Sequence, residues 1–256
     1  MKKFCKRAYL ALILIFLYLP IIVLIVQSFT AGKSRAKWEG FSFRWYTELF
    51  QDTRIMNALT VTVTIALLAM VVATILGTLA AIGIHAMKKR PQSFMMTLTN
   101  LPNTMPDIVT GISLMLLFLF TKVDRGYMTM LLAHITFDTP YVILSVLPKL
   151  KQMNRHTYEA ALDLGATPMY ALFHVIIPEC MPGIITGAML AFTLSLDDFT
   201  ISYFTTSPLV QNLSTLIYSA ARRGIEPTLN ALSALMFVAL LVLLLIVNRR
   251  TASNND

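Results

Sequence analysis

The chain has 256 residues, of which 56% are apolar or aromatic and only 13% charged, with a formal net charge of +8. A soluble domain of that length would have too few charges for its surface, so the apolar surplus belongs in lipid and a soluble enzyme or binding domain is excluded. Nucleic-acid binding is excluded as the reason for the positive charge, because the basic residues gather at the ends of apolar runs, where the positive-inside rule accounts for them.

A helix crossing the hydrocarbon core takes roughly 20 apolar residues. Uncharged runs of that length, with breaks allowed at proline, predict an all-α membrane protein of about six transmembrane helices, a single membrane domain over residues 1–256. The first span covers 8–29; its apolar run exceeds the roughly 7–15 residues of a signal-peptide core, and it is read as a retained anchor. The loop after it contains KWEGFSFRWYTELF, where Phe41, Trp45 and Leu49 recur at helical spacing and predict an interfacial helix on the outer face. The second span lies within 56–87 and ends in the densest basic cluster, Lys88, Lys89 and Arg90. The third lies within 94–120, interrupted by Pro102, Pro106 and Asp107, and the fourth runs from about 126 to 148 with His134, Asp138 and Pro140. The fifth starts near Cys180 and meets Asp197 and Asp198; the sixth, 228–247, has no charge. The basic clusters put both termini in the cytoplasm.

Cys5 and Cys180 lack metal-ligand spacing, the histidines at 85, 134, 156 and 174 are scattered, and neither a zinc-binding His-Glu-x-x-His nor a Gly-x-x-x-x-Gly-Lys-Ser/Thr phosphate loop occurs. No metal or nucleotide is therefore expected on this chain, and no enzymatic activity of its own.

Residues 149–178 are too long for a mere connector. They read as two short helices broken at 165–168, with Tyr158, Ala161, Leu162 and Gly165 on one face of the first and Met169, Leu172, Phe173 and Ile176 on one face of the second. Both stripes are expected to dock on protein. Within this segment, EAALDLGATPMYALFHVIIP has Glu159, Ala160 and Ala161, then Gly165 after three more residues, then Val175, Ile177 and Pro178. The pattern resembles the cytoplasmic loop of type I permeases of ATP-binding-cassette importers, with Val and Ile where that loop more often has Ile and Leu. Small residues let a helix enter a groove closely, and Gly165 permits a sharp turn.

The resemblance covers nearly the whole chain. GFSFRWYTELF, LPNTMPDIVTGISL, HITFDTPYVILSVLPKL, FTLSLDDFTISYFTT and EPTLNALSAL are similar to the second permease subunit of spermidine/putrescine importers. It implies half of a heterodimeric pathway in a bacterial inner membrane, completed by a sister permease, two ATPase subunits that hold ATP and Mg, and an extracytoplasmic polyamine-binding protein. It also implies that the loop at about 149–178, with Glu159, Ala160, Ala161, Gly165 and Pro178, couples the chain to the ATPase.

A charge deep in a span costs roughly 3 kcal/mol on insertion scales, so each intramembrane acid is a candidate functional group. Asp138 lies roughly 17 Å into the fourth span, near mid-bilayer. Asp197 is 19 residues beyond Pro178, which puts it about 28 Å along a continuous helix. Asp107 follows two prolines, in a break of the kind tolerated where backbone lines a cavity. With no intramembrane Lys or Arg to pair with, Asp107, Asp138, Asp197 and Asp198 suit a cationic cargo, and Phe199 and Tyr203 add cation–π surfaces. Two other readings stand beside this one: Asp138 pairs with His134 four residues earlier, and Asp197 and Asp198 pair with an arginine of the sister subunit or cap a helix break. Another organic cation, such as thiamine or an opine, is the alternative cargo. A secondary transporter would carry such acids but would not need the Glu-Ala-Ala loop.

Overall fold

The computed structural model describes residues 2–32, 38–223 and 226–253. It is almost entirely helical, and no strand forms among the described residues. In chain order the helices are α1 (Lys2–Ser28), α2 (Arg44–Gln51), α3 (Thr53–Ala86), α4 (Lys89–Thr104), α5 (Asp107–Phe120), α6 (Tyr127–Gln152), α7 (Arg155–Asp163), α8 (Pro168–Ala171), α9 (Ile177–Asp197), α10 (Thr200–Thr205), α11 (Leu213–Arg223) and α12 (Pro227–Ser253). Four helical stretches, Tyr9–Ser28, Thr53–Ala86, Tyr127–Gln152 and Pro168–Asp197, are long and apolar enough to cross a membrane, and the bent pair α4–α5 makes a fifth where its two arms count as one broken span. The expected sixth span falls on α12, whose apolar part Pro227–Ala239 is described, whereas the side chains of residues 243–253 lie outside the described set. So does the side chain of Cys5; Cys180 is a buried free thiol.

The contacts divide the chain into two compact units, Met1–Asn57 with Leu216–Asp256, and Ala58–Thr215. In the first, α12 packs against α1 and α2. Between Tyr9 and Val26 most apolar side chains of α1 face outward, as in a helix whose neighbour is lipid. On α2, Trp45 and Leu49 are each 2% exposed, and the Trp45 indole N–H donates to the Thr30 carbonyl at 2.6 Å. Phe41, expected on the same helical face, lies outside the helix. It pairs with Thr30 in an isolated bridge, and its ring stacks on Phe29 at 5.3 Å. The helix cannot start earlier because Gly40 has φ +101° and Phe41 is held in that bridge. Where α3 begins, the Arg54 guanidinium pairs with Asp52 at 3.0 Å and Glu226 at 3.1 Å. Partial burial pushes the Asp52 carboxyl up, but hydrogen bonds from the Arg54 side chain and backbone outweigh it and hold the group below its ordinary value.

In the second unit the core joins α3, α6 and α9 through Ala73, Ala81 and Ile84, Val142, Val146 and Leu150, and Cys180 and Ala191. Gly183 sets the closeness of α9 to α6: a Cβ there would lie 2.9 Å from the Ser145 carbonyl oxygen. Small residues allow such approach where lipid offers no hydrophobic drive between helices. The bend between α4 and α5 is 104°. Pro106 forces Met105 out of the helical region, to ψ 145°, and Pro106 itself has ψ 137°, so two consecutive extended residues turn the chain.

The second short helix predicted within 149–178 is not separate. From Pro168 the chain runs on helically to Asp197. The join is a π-helical turn, Leu172–Ile176, in which the Ile177 N–H donates to Leu172 O five residues back. Pro178 has no N–H and its ring would crowd the carbonyl of His174, so the wider turn absorbs the proline that sequence suggests as a boundary.

Candidate functional site

The acids at the end of the fifth span surround a break between α9 and α10. Asp197 closes α9, Asp198 is extended (φ −61°, ψ 125°), and α10 opens at Thr200. The Asp198 carboxylate accepts hydrogen bonds from the N–H groups of Ile201 at 3.2 Å and Ser202 at 2.7 Å. It therefore caps α10 and faces the positive end of that helix's dipole, the cap role that sequence left open. The Asp197 side chain is exposed. On α10, the Tyr203 ring lies 5.4 Å from Phe199 and 5.5 Å from Phe204, and Tyr203 remains 47% exposed. Asp107 is exposed at the first turn of α5, and α5 packs against α10. The fold thus brings the helix begun by Asp107 against the one that follows Asp197 and Asp198.

Asp138 is different, being wholly buried. It does not meet His134 directly. Ser195 Oγ donates to Asp138 Oδ2 at 2.6 Å and lies 2.9 Å from His134 Nδ1. His134 Nε2 is 3.0 Å from Ser202 Oγ and 3.6 Å from Asp198 Oδ2. Asn212 completes the cluster, its amide N–H donating to Ser202 Oγ at 2.8 Å and to Asp198 O at 3.2 Å. Sequence reasoning missed Ser195, Ser202 and Asn212. The available signal was a run of hydrogen-bonding residues inside and just after an apolar span that already held two acids.

The loop between α6 and α9 is built in the opposite way. Asn154 caps α7, accepting from His156 N–H at 3.1 Å, and α7 ends in a Schellman turn. Gly165 N–H bonds Leu162 O at 2.9 Å and Ala166 N–H bonds Ala161 O at 3.0 Å, with Gly165 at φ +89°. Glu159, Ala160, Gly165 and Pro178 are exposed and Ala161 is half-buried; the Glu159 carboxylate lies 3.3 Å from His156 Nδ1. Beneath α7 and α8 is a cleft of about 620 Å³ lined by Ile82, Ala86, Leu150, Tyr158, Leu172 and Ile176 among others. Of the two predicted stripes, Tyr158, Met169, Leu172 and Ile176 line this cleft and Phe173 is exposed, as is Leu164 on the turn, at 89%.

The family of binding-protein-dependent transport system inner membrane components matches residues 73–251. The chain is 41% identical over 231 residues to the putrescine transport system permease protein PotI of Escherichia coli (strain K12), covering 88% of this chain and 82% of that one. It is 34% identical over 252 residues to the spermidine/putrescine transport system permease protein PotC of Haemophilus influenzae, covering 98% of each. Among solved structures, a bacterial ABC transporter involved in the import of the acidic polysaccharide alginate matches with a TM-score of 0.74 at 18% identity, over 98% of this chain and 96% of that one. At that identity the likeness concerns the fold.

Proposed function

Since the chain belongs to the family of binding-protein-dependent transport system inner membrane components, we propose that it forms half of the path by which an ATP-driven importer carries polyamines across a bacterial inner membrane. The observation that carries the cargo class is the 41% identity over 231 residues to a putrescine permease. Fold alone does not set the sign of the cargo, because an importer of an acidic polysaccharide has the same one. The acids give the physical support: Asp107 and Asp197 are exposed carboxylates, and the ring pair Phe199 and Tyr203, 5.4 Å apart, follows Asp197 within a few residues. A flexible chain of ammonium groups meets several such acids better than one. Asp198 is committed to capping and Asp138 is sealed, so in this conformation they shape the path rather than touch cargo.

In this reading a sister permease supplies the other half, an extracytoplasmic binding protein delivers the polyamine, and two ATPase subunits bind ATP with Mg and hydrolyse it. The termini and the loop around Gly165 face the cytoplasm. Glu159, Ala160, Ala161, Gly165 and Pro178 meet the ATPase, and the exposed apolar residues around Leu164 and Phe173 are the surface it covers. The test is ATP-driven uptake of labelled putrescine and spermidine by the whole complex in proteoliposomes, with thiamine and an opine as rival cargoes. Asp107→Asn and Asp197→Asn keep size and hydrogen bonding while removing charge. Uptake should fall in each with subunit stoichiometry unchanged. A complex that carries thiamine or an opine but no polyamine would overturn the cargo assignment.

A further inference from the structure

Resting on that importer reading, we infer that His134 is a positioning residue for cargo: its imidazole ties both sides of the α9–α10 break to α6, so that α6 sets where Asp197 and Tyr203 are presented. The two ring nitrogens are used on opposite sides of the break. Nδ1 meets Ser195, before it, at 2.9 Å, and Nε2 meets Ser202, after it, at 3.0 Å.

The hydrogen bonds run in one direction. Asn212 Oδ1 accepts from the N–H of Thr215 at 3.0 Å and from its hydroxyl at 2.8 Å, which orients the amide so that its N–H group faces Ser202. Ser202 Oγ, accepting there, donates its own hydrogen to Nε2. At the other end Ser195 donates to Asp138 and therefore accepts from Nδ1. The network thus assigns the neutral Nδ1–H tautomer, and the relay runs from Asn212 through Ser202, His134 and Ser195 to Asp138. Each of the five side chains is buried. With water excluded, replacing any one strands its neighbours' donors or acceptors, so the cluster holds one arrangement of the break.

The helix that carries His134 also carries the loop. α6 continues to Gln152, about 27 Å from His134 along the axis, and α7 begins at Arg155. Below the cluster α6 and α9 are clamped together at Gly183 and through Val142, Val146 and Ala191. A displacement of α6 at the loop reaches the break through a packed pair of helices and a two-nitrogen lock rather than through a flexible joint.

The experiment compares His134→Leu and His134→Gln in the assembled complex. Copurification of the ATPase and thermal unfolding report structure; the KM for binding-protein-delivered substrate and the putrescine-to-spermidine uptake ratio report positioning. His134→Leu should leave assembly intact and shift the KM or the uptake ratio by about fivefold or more, with non-additivity against Ser202→Ala. His134→Gln, with a donor and an acceptor on one amide, should recover part of the shift. The inference fails if His134→Leu keeps wild-type KM and ratio. It fails equally if uptake drops only in proportion to lost protein and Gln recovers nothing. If the wild-type complex moves neither amine, the cargo assignment falls and takes this inference with it; a silent His134→Leu in a transporting complex removes the inference alone.

Discussion

The cluster around His134 and the loop around Gly165 hold their residues by opposite means. In the cluster, side chains from α6, α9 and α10 bond one another out of water, across separations such as the 57 residues between Asp138 and Ser195. In the loop, Gly165 and the alanines bond only within a few residues of themselves, while Leu164 and Phe173 stand in the open. A group whose partner lies in the same chain needs only the right polar atom at the right place, and leaves little linear pattern. A group that, as proposed for the loop, meets another molecule has to keep a shape, small residues and a fixed turn, and that shape survives as a readable spacing.

Three substitutions press on this contrast. The largest expected effect is in the loop: Gly165→Arg puts a long side chain at a position with φ +89° and on the face proposed to meet the ATPase, and should abolish ATP-driven uptake and ATPase copurification while membrane insertion stays normal. A melting temperature that dropped as far as uptake did would erase the distinction between the two regions. Next comes Gly183→Leu, where the added Cβ would sit 2.9 Å from Ser145 O. Separating α6 from α9 should cost about 1–3 kcal/mol of stability, read as lower thermal stability of the purified complex, and should alter the uptake ratio in the same direction as His134→Leu. Stability lost without any change in that ratio would show that the clamp and the cluster act independently.

The smallest effect belongs to Asp52, outside both regions. Its carboxyl is held below the ordinary value, so its contribution is fully present above the ordinary carboxylate pKa of about 3.9 and is lost as pH falls through the lower folded value. Arg54 is largely exposed, which limits the pair to about 0–1 kcal/mol. Asp52→Asn should lower thermal stability slightly at neutral pH, and the gap to wild type should close in acid. A gap that widened as the pH fell would mean that the charge is not what Arg54 holds.

How much could be read in advance divides along the same line. Hydropathy and length mark the spans, and the Glu159-to-Pro178 spacing marks the loop, because both are local. The boundary expected between the loop segment ending at Pro178 and a fifth span starting near Cys180 is absorbed by the π-helical turn, and whether a proline ends a helix or widens it depends on the packing of α9. Phe41 has the right spacing for α2 but lies in a bridge to Thr30, a pairing that periodicity does not report. His134 and Asp138 are four residues apart, and local spacing suggests a direct pair. Ser195 stands between them because α9 packs there.

The 104° bend between α4 and α5 bears on how the protein is made. α4 has 16 residues and α5 has 14, so at 1.5 Å per residue neither arm exceeds about 24 Å, short of a hydrocarbon core of about 30 Å. Neither arm can be handed to the bilayer alone as a finished span. α5 packs against α10, which is synthesised some 80 residues later, whereas the extended residues at 105 and 106 use their backbone locally, Met105 N–H donating to Leu101 O at 3.1 Å and Pro106 O accepting from Val109 N–H at 2.9 Å. α5 therefore meets its main packing partner only after α6 to α9 have been made, so the order in which the helices emerge bears on this sequence as well as the packing of the finished fold.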